Sequence, residues 1–176
     1  MVGTFNAQSL IMEVFGTFML CFFGGLVVLD NGNLTNVAIA HALILFIVIH
    51  IGGDVSGGYY NPAVTIGFLI SGDNCFKITI SYFIAEFLGS VIAGLFLLLK
   101  VVDADGLGYP KPAPGVNLFR IFIYETMATF LLVLSIFYNV KMKKGATIAG
   151  LFVGVVVLLS ILSIGDVTGG CLNPAR

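Results

Sequence analysis

Two asparagines, each followed by Pro-Ala, are the residues best equipped to do chemistry in this chain. Asn61-Pro62-Ala63 closes the run GDVSGGYYNPA, Gly53 to Ala63, and Asn173-Pro174-Ala175 closes GDVTGGCLNPA, Gly165 to Ala175. Asn is a good helix N-cap, and Pro suits the first helical position because its missing N–H would be unpaired there anyway. As a cap, the side-chain oxygen is used by the backbone, while the amide nitrogen keeps N–H donors for a passing solute oxygen. The N-terminus of a helix is equivalent to roughly +0.5 charge, so two such ends facing one another repel cations and orient water. Arg176, immediately after the second copy, adds a full positive charge, a recognised barrier to protons and cations in a constriction. This is the chemistry of recognition and exclusion. No nucleophile–base pair, metal-ligand spacing or phosphate loop accompanies it, so no enzyme, metal or cofactor is expected. Cys21, Cys75 and Cys171 show neither CxxC nor Cys/His spacing, and Cys21 and Cys75 read as small packing residues.

The second copy follows the first by 112 residues (173 − 61), and the same offset carries Glu13 onto Glu125, where EVFGTFML faces ETMATFLL. A lone Asn-Pro-Ala is a weak signal. Two in register inside duplicated flanks are a strong one, and the period suits a membrane protein built from two homologous halves. Residues 1–112 read as a first repeat, with three spans plus a half-helix starting at Asn61. Residues 113–176 read as an incomplete second repeat, with two spans plus the start of a half-helix at Asn173.

The elements that must position these residues belong in a bilayer. The 176 residues are 59% hydrophobic and 10% charged, with a mean hydropathy of +1.08, whereas a soluble domain carries about a quarter charged residues. A net charge of −1 offers no basic face, so nucleic acid is not an expected partner. Crossing the hydrocarbon takes about 20 apolar residues. Segments near 9–29, 36–53, 77–100, 117–140 and 146–165 qualify, joined by turn-rich connectors such as Asp30 to Asn33, Ser71 to Asn74 and the Pro-rich stretch Tyr109 to Gly115. The first lacks a preceding basic region and contains Glu13, so it reads as a retained helix rather than a leader. Asn61 to Ile70 is apolar but about half the length of a crossing, which suits a re-entrant half-helix. Its polar, flexible approach is tolerated at membrane depth only where protein buries it or water lines it. Lys77, Lys141, Lys143 and Lys144 fall on one side if the N-terminus is cytoplasmic; Lys100, Lys111 and Arg120 fall on the other, offset by Asp103 and Asp105.

With paired Asn-Pro-Ala loops, a Glu-x-x-Gly/Ala-Thr-Phe signature opening each half and Arg after the second motif, the chain resembles the aquaporin family, the major intrinsic proteins. The resemblance covers essentially the whole chain. It implies an all-α membrane protein with inverted symmetry: crossing helices plus two re-entrant half-helices meeting at mid-membrane, and a tetramer with one pore per subunit. It also implies a four-residue filter at His41, Ile161, Gly170 and Arg176, which stand 20 before Asn61, then 12 before, 3 before and 3 after Asn173. That set looks like the filter of some plant tonoplast intrinsic proteins; orthodox water channels carry Phe and His at the first two positions. Element directions agree, since His41 near the start of an inward span and Ile161 near the end of an outward one share the outer third. Arg176 lies about 4.5 Å beyond Asn173 at 1.5 Å per residue.

Several residues attract plainer readings. Glu13 and Glu125 are expected to brace the loop backbones, intramembrane charge being costly and therefore purposeful. Glu86, at a family position often held by Gln, and His50, on the face opposite His41, read as structural. Asp54 stands where the family usually has His, and Asp166 matches it across the repeat. Gly150-x-x-x-Gly154 and Ser90-x-x-x-Gly94 are expected to permit close helix contact. The span centred near Glu86 should recur near 198, so the last crossing helix is missing from this chain, which reads as a portion of a longer channel. The expected function is passive passage of water, with ammonia or other small neutral solutes, excluding protons and ions, in a multi-pass homotetramer surrounded by lipid. The rival is a non-conducting, aquaporin-like structural subunit of a membrane assembly.

Overall fold

The computed structural model describes residues 3–30, 32–100 and 107–176; Asn31, Asp103 and Asp105 of the sequence reading lie outside them. Among the described residues the regular elements are helices: α1 (Ala7–Leu29), α2 (Leu34–Ser56), α3 (Pro62–Ile70), α4 (Phe76–Leu97), α5 (Leu118–Lys141) and α6 (Ala146–Thr168). All but α3 have 22 to 24 residues and windows of mean hydropathy from 1.8 to 2.6. At 1.5 Å per residue each outreaches a hydrocarbon core of about 30 Å. The nine residues of α3 cover less than half that distance. Asparagine starts four of these helices: the side chains of Asn6, Asn33, Asn61 and Asn117 accept from the backbone N–H groups of Ser9, Asn36, Ala63 and Arg120.

The repeated runs are more helical than their glycines and aspartates suggest. The sequence reading ends the spans near Gly53 and Gly165, yet α2 continues to Ser56 and α6 to Thr168. Asp54 and Asp166 lie exposed on the helix surface and make no turn. The stop comes at Gly57 and Gly169, whose φ values of 97° and 90° place them in the left-handed region where glycine alone is unstrained. At α4 the difference is reversed: the helix closes at Leu97, and Leu99 and Lys100 turn back by bonding the Phe96 and Leu97 carbonyls.

Helix α6 lies against α2 along the Gly150/Gly154 stripe. A Cβ on Gly154 would stand 2.8 Å from the Ala42 carbonyl oxygen, and one on Gly150 3.0 Å from that of Phe46. Helix α1 approaches α4 in the same way at Gly89, 2.4 Å from the Val14 oxygen. The Ser90/Gly94 stripe behaves otherwise. Nothing lies within 4 Å of a Cβ on Gly94, which faces an open cavity shared with Cys21 and Gly25 rather than a helix. Asp30 and Lys100 pair side chain to side chain, which puts the C-terminal ends of α1 and α4 at one end of the bundle. Leu20, Leu45, Ile49, Leu132, Val153 and Val157 form the core between the helices, while Ile11, Leu43, Phe119, Phe122 and Phe130 face outward.

Candidate functional site: two crossed asparagine loops

The two loops repeat each other bond for bond. After the left-handed Gly57 and Gly58, Tyr60 holds φ 49°; after Gly169 and Gly170, Leu172 holds φ 53°. A left-handed conformation in a non-glycine residue costs of order 1–3 kcal/mol and persists only where surroundings enforce it. The enforcers are two glutamates. Glu13 Oε1 accepts from Ser56 Oγ at 2.5 Å and from the Tyr59 N–H at 3.1 Å, while Oε2 accepts from the Tyr60 N–H at 2.7 Å. Glu125 Oε1 accepts from Thr168 Oγ1 at 2.5 Å and the Cys171 N–H at 3.0 Å, while Oε2 accepts from the Leu172 N–H at 2.9 Å. Each hydroxyl in turn accepts from the loop glycine two residues on, Gly58 or Gly170, at 3.1 Å. Side chains from the interiors of α1 and α5 thus bond the loop backbones.

Strained in this way, the chain delivers each asparagine to the other loop. Asn61 Oδ1 accepts from the Ala63 N–H at 2.9 Å, and Asn173 Oδ1 from the Ala175 N–H at 3.0 Å. Asn61 Nδ2 donates to the Leu172 carbonyl at 2.9 Å, and Asn173 Nδ2 to the Tyr60 carbonyl at 2.8 Å. The amides therefore spend one N–H each on a reciprocal bond between loops, a use the sequence reading did not contain. It spans 111 residues of chain, and no local pattern announces it. Each amide nitrogen carries a second N–H, and both asparagines line an adjoining cavity. Pro62 opens α3, while Pro174 and Ala175 make the first turn after Asn173, closed by the Arg176 N–H on the Asn173 carbonyl at 3.1 Å. Glu86 ties α4 to the start of α3: its Oε1 accepts from the Asn61 N–H at 3.1 Å and from Thr65 Oγ1 at 2.6 Å.

A narrow cavity runs past this crossing. About 30 Å³ of it is open to water centres, and His41, Asn61, Asn173 and Arg176 line it together with the loop residues Gly58 to Tyr60, Cys171 and Leu172. Leu45, Ile49, Val153 and Val157 form part of its apolar wall. Arg176 is fixed by Nη1, which donates to the Gly170 carbonyl at 3.0 Å and that of Cys171 at 3.3 Å. His41 Nδ1 lies 2.8 Å from the Val37 carbonyl; a carbonyl only accepts, so Nδ1 carries a proton and Nε2 of the neutral ring is an acceptor. That Nε2 is buried without a partner.

Ile161 does not line the narrow cavity. It faces an adjoining vestibule of about 580 Å³ shared with Val37, Tyr109, Lys111 and Gly169, and Arg176 borders both spaces. Gly170 packs on Ile161, where a Cβ would stand 3.3 Å from the isoleucine Cα. Of the four filter residues, then, His41 and Arg176 meet at the bore while Ile161 and Gly170 pack together beside Arg176. Tyr109 and Lys111, which the sequence reading treats as connector, reach the vestibule because the Gly169 backbone admits Pro110 and Lys111 at close range. His50 lies away from these cavities and bonds Thr147 Oγ1 at 2.8 Å, joining α2 to α6.

The sequence profile of the major intrinsic proteins matches residues 3–176. The chain belongs to the major intrinsic protein family. A probable TIP-type aquaporin of Nicotiana tabacum is 40% identical over 153 residues, covering 84% of this chain and 60% of that protein. The probable aquaporin TIP2-2 of Arabidopsis thaliana is 37% identical over 151 residues with the same coverage. The chain thus spans 60% of the length of these relatives. The X-ray structure of the aquaglyceroporin from Plasmodium falciparum superposes with a TM-score of 0.87 at 24% identity, covering 96% of this chain and 77% of that one, so the two share a fold. As a major intrinsic protein with five helices long and apolar enough to cross a membrane among its described residues, the chain is a multi-pass integral membrane protein. Its aquaporin-like fold carries the two re-entrant loops on the α1–α2 and α5–α6 pairs.

Proposed function

We propose that this chain carries the pore of a passive channel for water, and for ammonia or similar small neutral solutes, that excludes protons and ions. The observation supporting this most strongly is the reciprocal Asn61–Asn173 crossing beside a cavity of about 30 Å³. A space of this size admits water-sized solutes. A neutral solute meets loop carbonyls and amide N–H groups on one side and aliphatic side chains on the other, so it is oriented without being held tightly. The N-terminus of α3 presents positive partial charge at the crossing, and Arg176 presents a full charge beyond it. Both oppose cations and interrupt proton hopping.

On this reading Asn61, Pro62, Ala63, Asn173, Pro174 and Ala175 build the crossing, and His41, Ile161, Gly170 and Arg176 select. Glu13 and Glu125 hold the loops. Residues 1–112 and 113–176 act as one complete and one incomplete repeat, and the assembled channel is a homotetramer. The test uses proteoliposomes of the natural-length protein loaded with a pH-sensitive dye. An imposed ammonia gradient should alkalinise the lumen faster than in empty vesicles, while an imposed potential should drive no proton leak. Rates equal to those of empty vesicles would favour a non-conducting structural subunit, and a proton leak would contradict the exclusion mechanism.

A further inference from the structure

Resting on the channel reading above, we propose that Gly24 is a further position that sets the width of the bore: a niche in α1 that holds the His41 imidazole back from it. A Cβ built on Gly24 would stand 2.2 Å from His41 Nε2 and 2.7 Å from both Cδ2 and Cε1. Ordinary contact begins at 3.4 Å, so the shortfall is 3.4 − 2.2 = 1.2 Å. The ring therefore occupies the volume that any other residue at this position would claim. His41 is 1% exposed, and its Nδ1 is tied to the Val37 carbonyl on its own helix. The open space beside it is the cavity it lines with Arg176. Displacement by more than an ångström in that direction would narrow the passage it lines with Arg176.

Glycine inside a helix costs about 1 kcal/mol relative to alanine, so its place within α1, before the last turn, needs a packing reason. The adjacent Gly25 has a different one, since its Cβ would meet Leu97 Cδ1 at 2.6 Å. The repeat adds an independent observation. The counterpart of Gly24 at the 112-residue offset is Ile136, a large side chain that lines the cavity from another wall. At matched positions the two halves thus place a wall and a recess. Gly24 touches no solute; it positions His41, and His41 sets the bore.

The experiment compares the natural-length protein with Gly24→Ala, His41→Ala and the double variant in proteoliposomes, normalised to inserted protein. Water shrinkage rate and ammonia uptake are read together with the imidazole ¹⁵N resonances of His41 in the parent and Gly24→Ala proteins. Gly24→Ala should lower both fluxes about tenfold, pore diameter being a primary determinant of passage, and should break the Nδ1–Val37 bond seen in the ¹⁵N spectrum. The double variant should conduct as His41→Ala does, because removing the ring removes the obstruction. Parental flux in Gly24→Ala would overturn the proposal, as would a double variant that stays closed. A parent that conducts nothing refutes the channel reading; the His41 resonances then decide, and a spectrum unchanged by Gly24→Ala overturns the niche.

Discussion

At Arg176 a guanidinium bonded to the Gly170 and Cys171 carbonyls borders both the narrow cavity and the outer vestibule. A unit charge about 4 Å from a passing cation opposes it by about 4 kcal/mol at an effective dielectric near 20. Arg176→Val should therefore leave water passage largely intact while raising proton or cation conductance by up to about a thousandfold, each 1.36 kcal/mol being tenfold in rate. Voltage-clamped cells expressing the variant check this; unchanged exclusion would remove Arg176 from the constriction. His41 sits across the same bore and offers a polar ring where orthodox water channels carry Phe. His41→Phe should reduce ammonia uptake more than water uptake in paired flux assays, and equal loss of both would reject the selective role. Both were assigned to a filter by the family resemblance, and both line the narrow cavity. The packing of Ile161 against Gly170 and the approach of Tyr109 and Lys111 over Gly169 were not legible, because they depend on contacts between distant segments.

Among the elements, α2 and α6 carry the two loops at their C-terminal ends and meet along Gly150 and Gly154. Gly154→Val would drive a branched side chain into the Ala42 backbone, and overpacking of this kind costs about 1–3 kcal/mol. The expected outcome is a lower melting temperature in detergent, together with slower water flux as the loops lose register; an unchanged melt would show that the contact is looser than its geometry. The half-helix α3 was legible because Asn-Pro is a local start signal and its apolar run is too short to cross. The true ends of α2 and α6 were not, because Gly53, Asp54, Gly165 and Asp166 read as turn formers when their neighbours are unknown. In the folded chain Gly52 and Gly165 face Tyr60 and Leu34, and the stop falls to the left-handed Gly57 and Gly169. Glycine pairs also read alike in sequence. Gly154 meets the Ala42 backbone of α2, while a Cβ on Gly94 meets nothing within 4 Å among the described residues.

For the whole molecule, duplication explains why two glutamates, two hydroxyls, four left-handed glycines and two strained residues recur at one offset. Reading the lysines as inside anchors predicts that Cys75, an exposed thiol one residue before α4, lies on the cytoplasmic side with Lys141, Lys143 and Lys144. A membrane-impermeant maleimide should label Cys75 in inside-out vesicles and not in right-side-out ones, and the reverse pattern would invert the topology. The central claim is that the crossed asparagines frame a conducting path. It is tested most directly by stopped-flow osmotic shrinkage of proteoliposomes containing the natural-length protein. Shrinkage should run well above that of empty liposomes, with a weak dependence on temperature; the rate and temperature dependence of bare lipid would refute a conducting path.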